Sequence, residues 1–365
     1  MKTRIVFGSD SIKKLSSLLE EFAFTKALIV TGKTAMRKTG ILDKVIRQVG
    51  KNKAVVFEGA EPNPKAENCD NGAELGKKEG CDLIIGLGGG SALDCAKGVA
   101  VLMTNDIDLR EILGNYEPLK NETVPLIMIP TTSGTASEIN KFAVITNEKN
   151  GKKMVLKENK TIPELAIVDP KLTIFCSPGL TAATGLDALC HAIESYWSTN
   201  SNPVSKMFAL KAIELVNNNL EKVCNNGEDL EAREGMSMAS LFAGMAFSNT
   251  GTTDLHKLSY PLTERFGTAH GFGCAIALPH YFEFNGKENS LDEIAKALGK
   301  ETCKEAADRI REIMKNIKAP TRLGELSVKK EDIELIADEG YSNNERNNPR
   351  KITKNELKKM LEELL

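Results

Sequence analysis

The strongest constraint on the fold is a change in hydrophobic pattern near residue 170. Before it, short runs of β-branched and aliphatic residues alternate with amphipathic stretches, a pattern typical of βαβ units around a parallel sheet. The runs that predict strands cover 27–31, 53–57, 83–86, 125–129, 141–145 and 154–156. The stretches that predict helices cover 9–22, 65–79 and 91–103. We therefore expect residues 1–172 to form an α/β domain.

Later in the chain the strand pattern fades, and apolar residues recur every three or four positions, as on helices that bury one face. The helices predicted in this half cover 207–216, 232–247, 291–298, 303–317 and 355–365. No internal repeat or flexible linker separates the two halves. We expect residues 173–365 to form an all-helical domain.

Composition excludes several classes of protein. The 48 Lys and Arg residues against 50 Asp and Glu residues give a formal net charge of −2, so no basic domain is available for nucleic acid. No apolar run approaches the roughly 18 residues of a membrane-spanning helix, and the first residues lack the apolar core of a signal peptide. The eight cysteines are dispersed and never form a CxxC, which indicates reduced structural thiols. We expect a soluble, cytoplasmic protein.

Two segments that follow predicted strands are candidates for binding phosphate. Residues 86–91 read GLGGGS, and a turn without side chains lets backbone N–H groups at a helix start approach an anion. Ser91 replaces the last glycine of a GxGxxG motif, so a plain strand-to-helix turn is the alternative. Residues 130–138 read PTTSGTASE, and their hydroxyl groups favour a crevice at the carboxyl edge of the sheet over an ordinary Ser/Thr-rich turn.

A carboxylate and three imidazoles could form a metal site. Asp187 and His191 are four residues apart, which places both on one face of a helix. Pro261, Gly267 and Gly271 argue against one continuous helix that carries both His256 and His270, and for two converging elements. Together the four side chains would suit Fe²⁺ or Zn²⁺, although each histidine taken alone is more often a core or surface residue.

These segments occur together and in this order, and the chain resembles the iron-containing, or group III, alcohol dehydrogenases over nearly its whole length. The stretches that match are 88–97, 184–194, 256–271, 277–280 and 348–350. The resemblance implies a dinucleotide-binding α/β domain and a helical metal-binding domain, as in dehydroquinate synthase. It also implies a homodimeric alcohol dehydrogenase or aldehyde reductase, in which Fe²⁺ or Zn²⁺ polarises the carbonyl group and NAD(P)(H) carries the hydride.

The resemblance also implies roles for individual residues. It assigns the metal to Asp187, His191, His256 and His270. The residues that it assigns to the cofactor are Asn63, Gly89, Gly90, Ser91, Asp94, Thr131, Thr132, Thr135 and Lys153. Some relatives have a further histidine, proposed as a proton relay, where this chain has Tyr260. Proton delivery would then fall to Tyr260, to bound water or to the cofactor ribose, and a core tyrosine is the alternative.

The end of the predicted strand 27–31 bears on the choice of coenzyme. Relatives that use NAD often carry an acid where this chain has Gly32. Gly32 leaves room for the 2′-phosphate of NADP(H), and Lys33 could pair with it. We therefore expect a preference for NADP(H), with a tight turn and a solvated Lys33 as the alternative.

Two further stretches bear on the substrate. Residues 193–198 and 259–267 resemble the branch of the family that includes phosphonoacetaldehyde reductases. Lys257 and Arg265 are cations that could face a substrate anion, although each could equally be a solvated side chain. We expect a small aldehyde as substrate, with a phosphonate- or carboxylate-bearing one preferred over butanal or propanal.

Other functions are compatible with parts of this sequence. A non-redox, metal- and NAD-dependent lyase on the dehydroquinate synthase-like fold is the main alternative, and it would show no net turnover of nicotinamide. A non-enzymatic metal- or nucleotide-binding module is a weaker one.

Overall fold

The computed structural model describes residues 2–115, 119–287, 290–341 and 347–365. The chain forms two compact units, Met1–Thr132 with Ala136–Phe175, and Ser133–Thr135 with Cys176–Leu365. The sequence predicts a boundary after residue 172. That the first part binds the dinucleotide and the second part binds the metal remains a prediction. Within the described ranges no helix is both long and apolar enough to cross a membrane.

The first unit alternates strands and helices. Its strands are β1 (Arg4–Phe7), β2 (Ala27–Gly32), β3 (Ala54–Ala60), β4 (Leu83–Gly88), β5 (Leu126–Pro130), β6 (Phe142–Asn147), β7 (Lys152–Lys157) and β8 (Leu165–Val168). Its α-helices are α1 (Leu15–Leu19), α2 (Ala35–Lys38), α3 (Ile41–Val49), α4 (Ala66–Glu79), α5 (Gly90–Thr104) and α6 (Leu109–Ile112). Its 3-10 helices cover Ser11–Lys14, Asn159–Thr161 and Pro170–Phe175.

Six of these strands form one parallel sheet in the order β1-β8-β5-β4-β2-β3, and β6 pairs with β7 in a separate antiparallel hairpin. Successive side chains of a strand point to opposite faces of the sheet, and helices cover both faces. Leu28 and Ile84 belong to the apolar cluster that contains α4 and α5. Ile29 and Ile85 belong to the cluster that contains α1 and α3. Burial on both faces explains why β4 and β5 are apolar almost throughout.

The second unit is helical. Its α-helices are α7 (Pro178–Trp197), α8 (Pro203–Asn225), α9 (Leu230–Thr250), α10 (Asp254–Phe266), α11 (His270–Ala275), α12 (Leu278–Gly286), α13 (Asp292–Ala297), α14 (Cys303–Asn316), α15 (Ile333–Gly340) and α16 (Lys354–Glu363). Its 3-10 helices cover Leu323–Leu326 and Lys330–Asp332. Ser177 caps α7 by accepting a hydrogen bond from the Leu180 N–H, and Pro178 occupies the first turn. From residue 185 onward α7 is buried on every side, so polar side chains there lie inside the unit.

The structure confirms the predicted fold class of an α/β part followed by a helical part, and it corrects several elements. The sequence prediction missed β1 and β8, because strands of four residues carry too little periodicity. The helix predicted over 9–22 is a 3-10 turn followed by the short helix α1. The prediction that His256 and His270 lie on two elements is correct, although Pro261 lies inside α10 and does not end it.

Candidate active site

The predicted metal ligands on α7 are both buried. Asp187 and His191 lie one turn apart, and only 3% and 6% of their surfaces are exposed. A carboxylate and an imidazole that have lost their water need polar partners or a cation, because burial of an uncompensated charge is costly. These partners come from α10 and α11.

His256 on α10 and His270 at the start of α11 converge on Asp187. The Oδ1 atom of Asp187 lies 3.5 Å from His256 Nε2, 3.7 Å from His270 Nε2 and 3.8 Å from His191 Nδ1. Gly271 makes this approach possible, because a Cβ there would lie 1.8 Å from the carbonyl oxygen of Ala183 on α7. The structure therefore brings the four predicted ligands together.

The donor atoms of this cluster fit a divalent cation. Asp187 Oδ1, His191 Nδ1 and His256 Nε2 are buried, and none has a hydrogen-bond partner among the described residues. An unsatisfied buried polar group costs about 1–3 kcal/mol, so three facing one another indicate a ligand that joins them. One carboxylate oxygen and imidazole nitrogens match the preferences of Fe²⁺ and Zn²⁺.

A thiol that the sequence prediction missed lies in the same cluster. Cys274 follows His270 by one turn of α11, and its Sγ lies 3.7 Å from His270 Nε2. Ligand atoms of Asp187, His256, His270 and Cys274 all lie within 4.8 Å of one another. The four-residue spacing from His270 was the signal in the sequence, but a cysteine within an apolar pattern also resembles an ordinary core residue.

Glu194, also missed, orients one of the imidazoles. Its Oε2 atom accepts a hydrogen bond from His256 Nδ1. Its Oε1 atom accepts from the Thr253 N–H at 2.9 Å, the Thr253 hydroxyl at 2.7 Å and the Leu255 N–H at 2.9 Å. A carboxylate on Nδ1 fixes the tautomer that leaves Nε2 available to a metal. Glu194 lies two turns after Asp187 on α7, so its helical spacing could have identified it.

Ser259 orients His270 as Glu194 orients His256. Its hydroxyl donates to the carbonyl oxygen of His256 at 2.6 Å, and its oxygen lies 3.2 Å from His270 Nδ1. Because the single hydroxyl proton is already committed, Nδ1–H of His270 is the donor in the second contact. The Nε2 atom of His270 is then free to bind a cation.

The electrostatics of the cluster favour a bound cation. Burial alone would raise the pKa of Asp187, but His191, His256 and His270 outweigh it and lower that pKa. Burial lowers the pKa of His191 to about 4, which keeps its imidazole neutral. Burial also acts to lower the pKa of His256, but the negative charges of Cys274 and Glu194 outweigh it and raise the pKa. Asp187 thus stays ionised and His191 stays neutral, which are the protonation states that bind a metal ion.

The predicted cofactor segments meet at one edge of the parallel sheet. The chain passes from β2 to its neighbour β3, and then to β4 on the other side of β2. Such a switch point opens a crevice at the carboxyl ends of the strands. Gly32 ends β2, Gly88 ends β4 and Pro130 ends β5. Gly32, the glycine-serine turn and Thr131–Thr132 therefore lie side by side.

Contacts within the first unit hold these segments in place. Gly88 has a φ of 143°, which glycine adopts easily, and its carbonyl oxygen accepts from the Thr131 N–H at 2.9 Å. The backbone then enters α5 at Gly90, which leaves the first N–H groups of a long helix for an anion. The Asn63 N–H donates to the Ser91 hydroxyl at 3.2 Å. Asn63 and the turn thus form one local structure.

Asp94 has protein partners on both carboxylate oxygens. It accepts from the Ser137 hydroxyl at 2.6 Å and from the Val144 N–H at 2.9 Å. The fully buried Lys97 donates to Ser137 Oγ at 2.9 Å and to the Phe142 carbonyl oxygen at 2.7 Å. This geometry favours a positioning role for Asp94, which ties α5 to β6.

The other predicted cofactor residues are divided between the two units. Lys153 lies on β7, opposite Thr146 of β6. The Thr146 N–H donates to the Pro64 carbonyl oxygen at 2.7 Å, so the hairpin lies beside the segment that contains Asn63. Thr135 belongs to the second unit.

The cation predicted to select the coenzyme has an acidic partner. Lys33 Nζ lies 2.7 Å from Glu61 Oε1, and Lys65 Nζ lies 3.9 Å from Glu61 Oε2. Glu61 directly follows β3, next to the carboxyl end of β2. Lys33 is therefore paired with Glu61 and still largely exposed to solvent, so both interpretations of this turn remain predictions.

The residue predicted to deliver the proton and the two cations predicted to contact the substrate all lie on α10, but they contact different neighbours. The ring of Tyr260 stacks 6.5 Å from that of His270, and Lys257 Nζ lies 5.9 Å from the Tyr260 ring. Arg265, in the last turn of α10, forms two hydrogen bonds with Glu339 of α15. Tyr260 thus lies beside His270, Lys257 lies beside Tyr260, and Arg265 forms an ion pair with Glu339.

Comparison with known proteins shows the family to which the chain belongs. Residues 2–170 match the model of the iron-containing alcohol dehydrogenases, and residues 181–365 match the C-terminal model of the Fe-containing alcohol dehydrogenase family. Alcohol dehydrogenase 4 of Schizosaccharomyces pombe is 38% identical over 341 residues, which cover 91% of this chain and 80% of that protein.

Two solved structures are also similar over the whole chain. The alcohol dehydrogenase from Oenococcus oeni has a TM-score of 0.95 and 34% identity, with 100% of this chain and 99% of that chain covered. The sulfoacetaldehyde reductase from Bifidobacterium kashiwanohense in complex with NAD⁺ has a TM-score of 0.94 and 32% identity, with 100% and 97% covered. The chain therefore belongs to the iron-containing alcohol dehydrogenase family of metal- and nicotinamide-dependent oxidoreductases.

Proposed function

We propose that this protein is an aldehyde reductase, and in reverse an alcohol dehydrogenase, that uses NADP(H) and a divalent cation, with Fe²⁺ favoured over Zn²⁺. Asp187, His191, His256 and His270 hold the cation in this proposal. The observation that carries it is a group of buried donor atoms that face one another around Asp187 Oδ1 and have no hydrogen-bond partner in the described part of the chain. The homodimer and the cytoplasmic location expected from the sequence remain predictions.

The residues of the cluster have distinct tasks in this reaction. A divalent cation bound there would polarise the substrate oxygen, while the nicotinamide carries the hydride. Glu194 and Ser259 hold His256 and His270 in the tautomers that present Nε2. Phe247 stacks 4.3 Å from the ring of His191 and keeps water away from one side. We assign proton delivery to the Tyr260 hydroxyl, from its position beside His270.

The direct test mixes the metal-loaded enzyme with NADPH and an aldehyde and follows the absorbance of the reduced nicotinamide. We expect a sustained decrease, matched by alcohol formation. A lyase would convert its substrate without net loss of NADPH, and a binding module would show no turnover with any aldehyde or alcohol. Either outcome would contradict the proposal.

The coenzyme preference depends on whether Lys33 pairs with Glu61 or with the 2′-phosphate of the coenzyme. The ribose 2′-hydroxyl of NAD(H) can donate to Glu61, whereas the 2′-phosphate of NADP(H) would compete with Glu61 for Lys33. We expect Glu61→Gln to raise the ratio of kcat/KM for NADPH over NADH, and Lys33→Ala to lower it, each by about fivefold because the pair is exposed.

Steady-state kinetics with both coenzymes tests this prediction. Lys44→Ala, which removes an exposed cation from α3, is the matched control and should leave the ratio unchanged. A wild-type enzyme that is as efficient with NADH as with NADPH would refute the preference. If neither variant shifts the ratio, Lys33 and Glu61 do not set it.

The substrate proposed is a small aldehyde that carries a phosphonate, sulfonate or carboxylate group. The similar reductase from Bifidobacterium kashiwanohense acts on sulfoacetaldehyde, which is such an anion. We assign the anionic group to Lys257, whose Nζ lies 5.9 Å from the ring of Tyr260, the residue beside His270. We expect Lys257→Ala to raise KM for phosphonoacetaldehyde about 10- to 150-fold, the range for a hydrogen bond to a charged group.

A panel of aldehydes checks this prediction. Lys257→Ala should change KM for butanal much less than KM for phosphonoacetaldehyde, and Arg265→Ala should have a small effect on both. A wild-type enzyme with higher kcat/KM for butanal than for phosphonoacetaldehyde would leave a general alcohol dehydrogenase.

A further inference from the structure

The most compact group of potential metal ligands in the second unit contains a thiol. Among the described residues, Asp187, His256, His270 and Cys274 are the set whose ligand atoms all lie within 4.8 Å of one another. Asp187 Oδ1 and His256 Nε2 in this set are buried, and neither has a hydrogen-bond partner within the ranges that the structure describes. His191 lies 3.8 Å from Asp187 but outside this set.

The backbone fixes Cys274 in this position. His270 and Cys274 are one turn apart on α11, so both side chains project from the same face of the helix. Gly271 lets α11 approach Ala183 of α7, and Gly273 lies against Ser259, where a Cβ would come within 3.3 Å of the serine Cβ. Cys274 is fully buried, so its thiol faces the cluster and not solvent.

We propose that Cys274 is a further ligand of the metal ion, together with Asp187, His191, His256 and His270. This inference rests on the proposed function, because it concerns the same metal site. When the ion binds, the S–H bond would break, the proton would pass to solvent and the thiolate sulfur would form the bond to the metal. A thiolate is softer than a carboxylate or an imidazole, so Cys274 would bias the site towards Zn²⁺ and Co²⁺ over Mn²⁺.

Cobalt substitution tests this proposal without relying on activity. A thiolate bound to Co²⁺ gives an intense near-ultraviolet charge-transfer band, whereas carboxylate and imidazole ligands give only weak visible bands. We expect the band in wild-type protein loaded with Co²⁺ and its loss in Cys274→Ser and Cys274→Ala. The matched control is Cys190→Ala, since Cys190 is a buried cysteine of α7 next to His191, and it should retain the band.

A second measurement on wild-type protein keeps the proposal testable if the Cys274 variants fail to fold. X-ray absorption of the zinc-loaded enzyme should show a sulfur scatterer at about 2.3 Å. Bound Co²⁺ without the charge-transfer band, or zinc with only nitrogen and oxygen neighbours, would overturn the assignment of Cys274 and leave the proposed function intact. Wild-type protein that binds neither metal would overturn the metal site itself.

Discussion

Asp187→Ala and His270→Ala are expected to abolish metal binding and to reduce kcat/KM about 1000-fold or more. Asp187 Oδ1 is the atom on which all three imidazoles converge, at 3.5 to 3.8 Å. Loss of the cation removes several kcal/mol of transition-state stabilisation, and each 1.36 kcal/mol corresponds to about a tenfold change in rate. The measurements are metal content by mass spectrometry and steady-state reduction of an aldehyde.

The fold should survive these substitutions. The apolar core of the second unit is built from side chains along its helices, and neither Asp187 nor His270 belongs to it. Circular dichroism should therefore show wild-type helix content in both variants. Asp308→Ala, which removes an exposed carboxylate from α14, is the control and should keep its metal and activity. An Asp187→Ala protein with bound metal and wild-type kcat/KM would contradict the assignment of the ligands.

Glu194→Gln has the second largest expected effect, although Glu194 does not face the metal directly. Its two oxygens accept four hydrogen bonds, one from His256 and three from the Thr253–Leu255 segment. A glutamine offers only one acceptor oxygen, and its NH₂ group would face a donor. We expect metal affinity to fall 10- to 100-fold, the usual effect of removing the partner of a metal-binding histidine.

Metal titration separates this role from general damage to the fold. Because Glu194 acts through the orientation of His256, excess metal should restore kcat in Glu194→Gln but not in Asp187→Ala. Thermal unfolding should show a loss of about 1–3 kcal/mol, as expected when buried donors lose their acceptor. Wild-type metal affinity in Glu194→Gln would show that the carboxylate has only a structural role.

Local sequence patterns predicted much of the fold because its main elements are long and strongly apolar. The central strands β4 and β5 are buried on both faces, and their unbroken aliphatic runs identify them. The glycine-serine turn and Thr131–Thr132 follow those strands, so the parallel sheet alone places them at one edge. The spacing of Asp187 and His191 likewise required nothing beyond the period of a helix.

Interactions between distant elements could not be predicted in the same way. Nothing close to Arg265 in the sequence indicates that Glu339 will hold it, because 74 residues separate the two. Glu61 and Lys33 meet only because β3 pairs with β2. Glu194 and Cys274 lie at core positions of their helices. Local sequence patterns at such positions do not distinguish a functional side chain from an ordinary buried residue.

Metal removal and return is the most direct test of the central claim that the Asp187 cluster holds a catalytic cation. We expect protein stripped of metal by a chelator to keep its helix content and to lose aldehyde reduction. Anaerobic addition of Fe²⁺ should restore the rate in proportion to the metal bound, until the site is filled. A wild-type rate in protein verified to contain no metal would contradict the account.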